Sequence, residues 1–413
     1  MNVATLTQAT EDLTQPGGKY EGGGCLGINA NNVVDFATTK RLRETLLAAR
    51  TEKTRVNIGT SRSCRCGLHA LGTHAAIGYN REYGSAKVKS VETCGSVWMC
   101  PVCRYKIMSS RAEELAYIAR KWQKYGYVQQ LITLTVPHYA HQPLETILGD
   151  YEEGIGISGA LKKFRQDMNW RKVKEQCGYV ADCRALETTY GFNGWHVHVH
   201  LAVFSADEFN KESERLIKEL WAKVVSKVGL GQVNSHGVEI SQGQCEYLAK
   251  WGAPNELMSE VHKEHSNGNI SVMQMEQDPQ RYRQQLEEYY SEFHGKKLLT
   301  WGGQKGFKKQ FVREKEDAEV IQEFDEIDEV VGTVPVQVWF KIYWRGQINE
   351  LLEAVEADPR SGMINFMQYY GYSGYSTDRH TTYARPYGYA ETHSVLSTSK
   401  IRLKADRKLV IPI

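Results

Sequence analysis

The order of apolar and polar residues along the chain predicts a mixed α+β protein. Apolar residues that recur every three or four positions predict helices, and apolar residues that alternate or run together predict strands. The first pattern predicts helices at 39–50, 107–125, 144–176 (with a glycine-rich break at 154–159), 207–228, 243–251 and 279–294. The second predicts strands at 86–92, 127–136 and 233–240, a hairpin over 180–204, and a strand and helix over 335–357. Beyond residue 359, tyrosine and glycine crowd together, which predicts poor order.

The most informative of these strands covers residues 195–204, where three histidines alternate with apolar residues. Successive side chains of a strand point to opposite faces, so His196, His198 and His200 share one face. Imidazole is the commonest metal ligand in proteins. Three imidazoles on one rigid face therefore favour a metal site over a strand that merely turns its polar side to solvent.

A carboxylate is expected beside these histidines. Residues 184–190 alternate in the same way and are followed by Gly-Phe-Asn-Gly, a strong turn signal. If residues 191–194 form the loop of an antiparallel hairpin, Glu187 lies opposite His198 and on the same face. Mixed histidine and carboxylate ligands suit Mn²⁺ or Mg²⁺, so the hairpin predicts a catalytic site for one of these ions. A different loop length would shift the register and remove Glu187 from the site.

Cysteine spacing predicts a second metal site. Five of the nine cysteines lie close together in the sequence, and two of them form a Cys-x-x-Cys knuckle, a geometry that grips Zn²⁺. The ligands expected for a structural zinc ion are Cys94, Cys100, Cys103 and one of Cys64 or Cys66, with His69 and His74 as substitutes.

Composition indicates a folded intracellular protein. The chain has 413 residues, a formal net charge of +2 and 41% hydrophobic residues, enough for a large core and two or three structural units. The sequence contains neither an apolar span of membrane length nor a secretory signal pattern, so we expect a cytoplasmic location and no membrane partner. In that compartment the cysteines would bind metal or stay reduced.

Because the net charge is small, affinity for nucleic acid has to come from local patches. The basic stretch 296–309 is one candidate. In it, Lys305 and Lys308 would contact phosphates while Trp301 stacks on bases, although a solvated loop explains the same residues equally well.

A nucleophile is predicted downstream of the histidines. If residues 241–252 are helical, Tyr247 and Lys250 lie three positions apart and share a face. A tyrosine attacks phosphorus when its developing charge is balanced, and a neighbouring ammonium stabilises the phenolate. With a metal that polarises the phosphate, this pair makes a workable phosphodiester transesterase.

The order of three motifs resembles that of rolling-circle replication initiators, the Rep proteins of plasmids and single-stranded phages, which belong to the HUH endonuclease superfamily. The motifs are the strand Leu131–Val136, the run His196–His200 and Tyr247–Lys250. The cysteine segment 94–103 is also similar to one found upstream in many plasmid Reps. The resemblance covers roughly residues 60–310 and implies a central antiparallel sheet with flanking helices, with the histidine strand in its middle.

The same resemblance implies roles for individual residues. His198 and His200 would be the primary metal ligands, His196 a third ligand or an outer partner, and Glu187 an acidic ligand. Tyr247 would cut one strand of single-stranded origin DNA and stay joined to the 5′ phosphate. The free 3′ hydroxyl would then serve the host polymerase, and a host helicase is a further expected partner. The implied units are an N-terminal arm (1–53), a zinc-binding unit (54–106), a nuclease domain (107–312) and an acidic linker with a C-terminal accessory region (313–413).

Two departures from the Rep pattern limit the comparison. Some plasmid Reps carry a glutamate four residues before the tyrosine that activates water for termination, and that position here is Gly243. Some phage initiators use two tyrosines on one helix turn, and no second tyrosine follows Tyr247 at that spacing. We therefore expect a single-tyrosine enzyme. A transposase with the same chemistry and a zinc-stabilised DNA-binding regulator that does not cut are the alternatives.

Overall fold

The computed structural model describes residues 36–234, 236–242 and 268–377. Its strands are β1 (His74–Asn80), β2 (Ser85–Lys89), β3 (Val128–Thr135), β4 (Tyr179–Gly191), β5 (Gly194–Ser205), β6 (Val238–Gln242), β7 (Ile270–Ser271), β8 (Leu299–Gly303) and β9 (Glu329–Pro335).

The helices are α1 (Phe36–Arg55), α2 (Ser61–Cys64), α3 (Pro101–Lys124), α4 (Leu144–Leu148), α5 (Gly156–Gln166), α6 (Met168–Gln176), α7 (Lys211–Lys227), α8 (Val272–Met275), α9 (Arg283–Phe293), α10 (Asp317–Phe324), α11 (Val336–Trp344), α12 (Ile348–Ala357) and α13 (Gly362–Tyr369). None of these described helices combines the length and the apolar character needed to cross a bilayer.

The larger sheet has the strand order β6-β3-β5-β4-β7, and β8 also pairs with β4. Neighbouring strands are antiparallel throughout. The histidine strand β5 lies between the two long strands β3 and β4, which places it in the middle of the sheet. The α+β architecture with antiparallel sheets and flanking helices is therefore confirmed.

Helices cover the two faces of this sheet unequally. On one face, the valines and leucine of β5 pack in a large core with side chains of α5, α7 and α9, such as Phe164, Trp221 and Phe293. On the other face, helix α3 packs against the C-terminal half of β5 through a smaller cluster that includes Leu115, Trp122 and Phe204. The three histidines share this second face but precede that cluster along β5, so they lie beside the part that α3 covers.

A second, three-stranded sheet has the order β2-β1-β9. Helices α11, α12 and α13 pack on it around Trp339, Tyr343 and Met367. Segment 74–89 thus shares one sheet with segment 329–335, which comes more than two hundred residues later. The predicted zinc-binding unit (54–106) and the predicted C-terminal region (313–413) therefore contribute strands to one sheet.

Local differences from the predicted elements have simple causes. The helix expected over 144–176 is three helices, because the chain turns at Gly149 (φ +58°) and again at Asp167, which caps α6 by accepting a hydrogen bond from the Asn169 amide. The prediction of poor order beyond 359 is wrong for residues 362–369, which form α13. Met363 and Phe366 are buried in the core of the smaller sheet, and this packing stabilises the helix despite the tyrosine- and glycine-rich sequence around it.

Candidate active site

The β4–β5 hairpin has the register that the sequence predicts. Glu187 pairs with His198, Thr189 with His196 and Tyr190 with Trp195. The loop is shorter than expected, because Gly191 and Gly194 also pair and leave a two-residue turn. Gly194 has a φ of +78°, a conformation that a side chain would disfavour. Since shortening an antiparallel loop by one pair leaves the pairing unchanged, Glu187 stays beside the histidines.

The imidazole rings follow one another along the face. The ring centroids of His196 and His198 are 4.0 Å apart, and those of His198 and His200 are 6.1 Å apart. The Nε2 atom of His200 lies 2.6 Å from Oε2 of Glu187. Histidines and a carboxylate are thus gathered at one place, although in the described residues no three of these donor atoms approach as closely as the cysteine sulfurs do.

Two threonines of β3 fix the orientation of the rings. Thr135 pairs with His198 and Thr133 with His200 across the β3–β5 ladder. The Thr135 hydroxyl lies 2.9 Å from Nδ1 of His198, and the Thr133 hydroxyl lies 3.2 Å from Nδ1 of His200. With Nδ1 occupied, Nε2 of each ring is the nitrogen that can face a metal ion. Such outer partners set the ring direction and raise the basicity of a ligand.

Burial keeps the imidazoles of His196 and His198 neutral. Removal from water and the neighbouring rings of His198 and His138 lower the pKa of His196 to about 3. Burial also lowers the pKa of His198 to about 4, against an opposing effect of the Glu187 carboxylate. Neutral imidazole is the form that binds metal. Both side chains are therefore in the binding form throughout the neutral pH range.

Sequence reasoning missed His138 and Glu239. The ring of His138, which follows β3, lies 4.5 Å from that of His196. Glu239 pairs with Thr133 across the β3–β6 ladder, so it is an exposed carboxylate on the histidine face. The sequence features that could have identified them are a histidine just after the Leu131–Val136 motif and the alternation of side chains along β6, which puts Glu239 on one face. Neither is readable until the order of strands in the sheet is known.

The cysteine group has the geometry of a four-thiolate metal site. Cys66 Sγ lies 3.7 Å from Cys103 Sγ and 3.5 Å from Cys100 Sγ, and Cys94 Sγ lies 3.7 Å from Cys103 Sγ. Sulfurs on a tetrahedral Zn²⁺ are about 3.8 Å apart, given a Zn–S distance of about 2.3 Å. All four residues are buried, and their sulfurs lie within 4.8 Å of one another. This group fits a structural metal such as zinc.

Of the two cysteines left open by the sequence, Cys66 is the one that joins this group. Cys64 stands outside the group, since its sulfur approaches the Ile58 carbonyl at 3.6 Å. His69 packs edge-on against Phe340, and His74 contacts the Thr73 hydroxyl, so neither substitutes as a ligand.

Of the remaining predicted site residues, Tyr247 and Lys250 lie outside the described residues. Trp301 is part of β8 and stacks on Phe204 at 5.8 Å, within the cluster beneath α3. The Lys308 ammonium forms an ion pair with Glu114 at 2.7 Å. The basic stretch is thus a strand and turn packed against α3, and among the predicted DNA contacts Lys305 is exposed.

Comparison with known proteins adds a relationship over part of the chain. A curated protein named Rep, from Streptomyces lividans, is 30% identical over 161 residues, which are 34% of this chain and 35% of that protein. The chain resembles a Rep protein. A protein named Neomycin resistance protein, from Streptomyces cyanogenus, is 27% identical over 139 residues, which are 29% of this chain and 32% of that protein.

These matches confirm the resemblance to Rep proteins that the motifs predict. The chain spans about a third of the length of each curated relative. No family model matches the chain, and no solved structure matches it. Membership of the HUH superfamily, the nicking chemistry and the residue roles are therefore proposals, argued below from the site.

Proposed function

We propose that this chain starts rolling-circle replication by nicking one strand of origin DNA, as an HUH-type tyrosine nuclease. The observation that carries the proposal is the histidine face on the central strand. There, His198 and His200, each oriented by a threonine at Nδ1, stand beside the Glu187 carboxylate. Imidazoles with a carboxylate suit Mn²⁺ or Mg²⁺, and His196 is a third ligand or an outer partner. Once bound there, such an ion would polarise the scissile phosphate and offset charge on the leaving oxygen.

Tyr247 is the proposed nucleophile, and the chain length allows it to reach the histidines. Strand β6 ends at Gln242, opposite Gln130, while His200 lies opposite Thr133 on the far side of β3. Gln242 therefore lies two strand spacings from His200 across the sheet and three residues from it along the strands, which together give about 14 Å. The five residues that lead from Gln242 to Tyr247 can span up to about 17 Å.

The proposed step balances as a transesterification. The phenol of Tyr247 loses its proton as its oxygen attacks phosphorus, the bond from phosphorus to the 3′ oxygen breaks, and the departing 3′ oxygen takes up a proton in its place. The products are a tyrosine joined to the 5′ phosphate and a free 3′ hydroxyl. The Lys250 ammonium stabilises the phenolate during attack. The histidine and carboxylate side chains hold their places because strand pairing and the threonine contacts fix them.

Aromatic side chains at the edge of the histidine face support binding of a single strand. Phe192 at the hairpin turn is 92% exposed, and Tyr139 is 53% exposed. The Tyr139 backbone lies beside this turn, because a Cβ on Gly194 would be 3.0 Å from the Tyr139 carbonyl oxygen. Exposed rings of this kind stack on unpaired bases, which are absent from the outside of a duplex.

Incubation of the full chain with circular single-stranded DNA and Mn²⁺ tests the proposal. We expect a protein–DNA adduct that survives a denaturing gel, that disappears on chelation and that returns with Mn²⁺ or Mg²⁺. Tyr247→Phe should abolish the adduct and retain DNA binding, while Tyr369→Phe, at a residue that is 81% exposed on the remote helix α13, should leave both unchanged.

Three outcomes would count against the proposal or redirect it. DNA binding without an adduct under any of these metals would favour the non-cutting regulator. An adduct that persists in Tyr247→Phe would move the nucleophile to another residue. A transposase would give the same adduct, and the DNA that flanks the gene would then show transposon ends instead of an origin.

A further inference from the structure

The four-thiolate group needs a compensating charge that its own ligands do not provide. A divalent zinc ion bound by four thiolates leaves a net double negative charge. Here Cys66, Cys94, Cys100 and Cys103 are all buried. A buried charge without a partner is strongly destabilising. A cation close to the sulfurs would offset this charge.

Arg50 brings such a cation from helix α1. The residue is only 8% exposed, and its Nε has no hydrogen-bond partner among the described residues. Its guanidinium packs on the backbone of Gly67, the residue after Cys66, since a Cβ on Gly67 would lie 2.5 Å from Nη1. Arg50, Cys66 and Cys103 also line one cavity of about 120 Å³.

The other neighbours of Arg50 do not explain its burial. No carboxylate forms an ion pair with it in the part of the chain that the structure describes. Its guanidinium carbon lies 5.4 Å from the centre of the Tyr343 ring, which is a weaker partner than a full negative charge. The thiolate group is thus the partner that would balance the charge of Arg50.

Contacts around Arg50 also join three distant segments of the chain. The Tyr343 hydroxyl lies 3.1 Å from the Thr54 hydroxyl of α1 and 3.5 Å from the Cys66 carbonyl. The Trp339 indole donates to the Gly67 carbonyl at 3.1 Å. Helices α1 and α11 therefore close on the cysteine loop from two sides.

We propose that Arg50 is the buried counter-charge of the four-thiolate zinc site and that it couples metal binding to the packing of α1 and α11 on the cysteine loop. Arg50 acts here as a positioning residue, because the four sulfurs alone bind the ion. The proposal does not depend on the nicking chemistry, so failure of either can be recognised separately.

The test is the zinc affinity of the full chain, measured by competition with a chromophoric chelator. Arg50→Met should bind zinc about 10- to 100-fold more weakly than the wild type, the usual loss when an outer partner of a metal ligand is removed. Arg41→Met is the matched control, because Arg41 lies on the same helix and its side chain is exposed. This control should bind zinc like the wild type.

Arg50→Lys, which keeps the charge, should recover much of the lost affinity and guards against misfolding of the methionine variant. Hydrogen exchange on the wild type is a second readout: chelation should increase exchange in residues 36–55 and 336–344 together. Unchanged zinc affinity in Arg50→Met, or equal losses in Arg50→Met and Arg41→Met, would overturn the proposal. So would a wild type that takes up no zinc, or a chelated protein in which those two helices keep their protection.

Discussion

Thr135→Val removes a hydroxyl that contacts the candidate metal ligand His198 and leaves the size of the side chain almost unchanged. That hydroxyl lies 2.9 Å from Nδ1 of His198, and valine occupies nearly the same volume without the oxygen. A hydrogen bond of this kind stabilises the fold by about 1 kcal/mol net. Its loss also frees the ring to turn, so affinity for Mn²⁺ should fall about 10- to 100-fold.

Thr188→Val is a control with the opposite expectation. Thr188 neighbours Glu187 in β4 but faces the other side of the sheet, and its buried hydroxyl has no hydrogen-bond partner among the described residues. Replacing an unpaired buried hydroxyl by a methyl group removes a desolvation penalty, so stability should stay level or rise by up to about 1 kcal/mol. Affinity for Mn²⁺ should not change.

Urea unfolding of the metal-free proteins and titration calorimetry with Mn²⁺ measure the two effects separately. Thr135→Val should lower the unfolding free energy and weaken Mn²⁺ binding, whereas Thr188→Val should do neither. If Thr135→Val binds Mn²⁺ like the wild type, the orientation of His198 by β3 has no bearing on metal binding. If both variants lose equal stability, the difference between a paired and an unpaired hydroxyl is refuted.

The pKa of His196 is lowered to about 3 in the folded state, so on acidification the unfolded chain takes up a proton first. The stability of the metal-free protein should therefore fall between about pH 6.5 and pH 3, and it should fall less steeply in His196→Gln. Equal slopes of unfolding free energy against pH in urea titrations would contradict this. Glu276→Gln should cost about 3–5 kcal/mol in urea unfolding, since the fully buried carboxylate receives two hydrogen bonds from Arg104; a loss below 1 kcal/mol would be inconsistent with a buried pair. Phe192→Ala should weaken binding of single-stranded oligonucleotides about 5- to 150-fold in fluorescence anisotropy, while Met168→Ala, also at an exposed apolar residue, should not; matching affinities would remove the turn from the DNA surface.

The parts of the site that the sequence predicts share a local origin. The strict two-residue period of a strand is enough to put His196, His198 and His200 on one face, and a glycine-flanked turn is enough to bring Glu187 opposite His198. The Cys-x-x-Cys spacing likewise identifies Cys100 and Cys103 as partners. Each of these predictions depends on residues close together in the chain.

The parts that the sequence does not predict depend on contacts between distant segments. Thr133 and Thr135 meet the histidines only because β3 pairs with β5 in one register of several that the pattern permits. Cys64 and Cys66 are equivalent in spacing, and only the three-dimensional path of the loop separates them. Trp301 is an aromatic residue in a basic stretch, as expected of a base-stacking residue, yet the pairing of β8 with β4 places it in a hydrophobic cluster.

The pairing of β1 with β9 has a practical consequence for anyone who cuts this gene. A fragment that ends before residue 329 would leave β1 with an unpaired edge, because its main-chain amides and carbonyls hydrogen-bond to β9. Ala75 and Ile77 would also lose the side chains that bury them. Unpaired strand edges of this kind promote aggregation by pairing between chains. Truncations that aim to isolate the catalytic region should therefore remove both outer segments or neither.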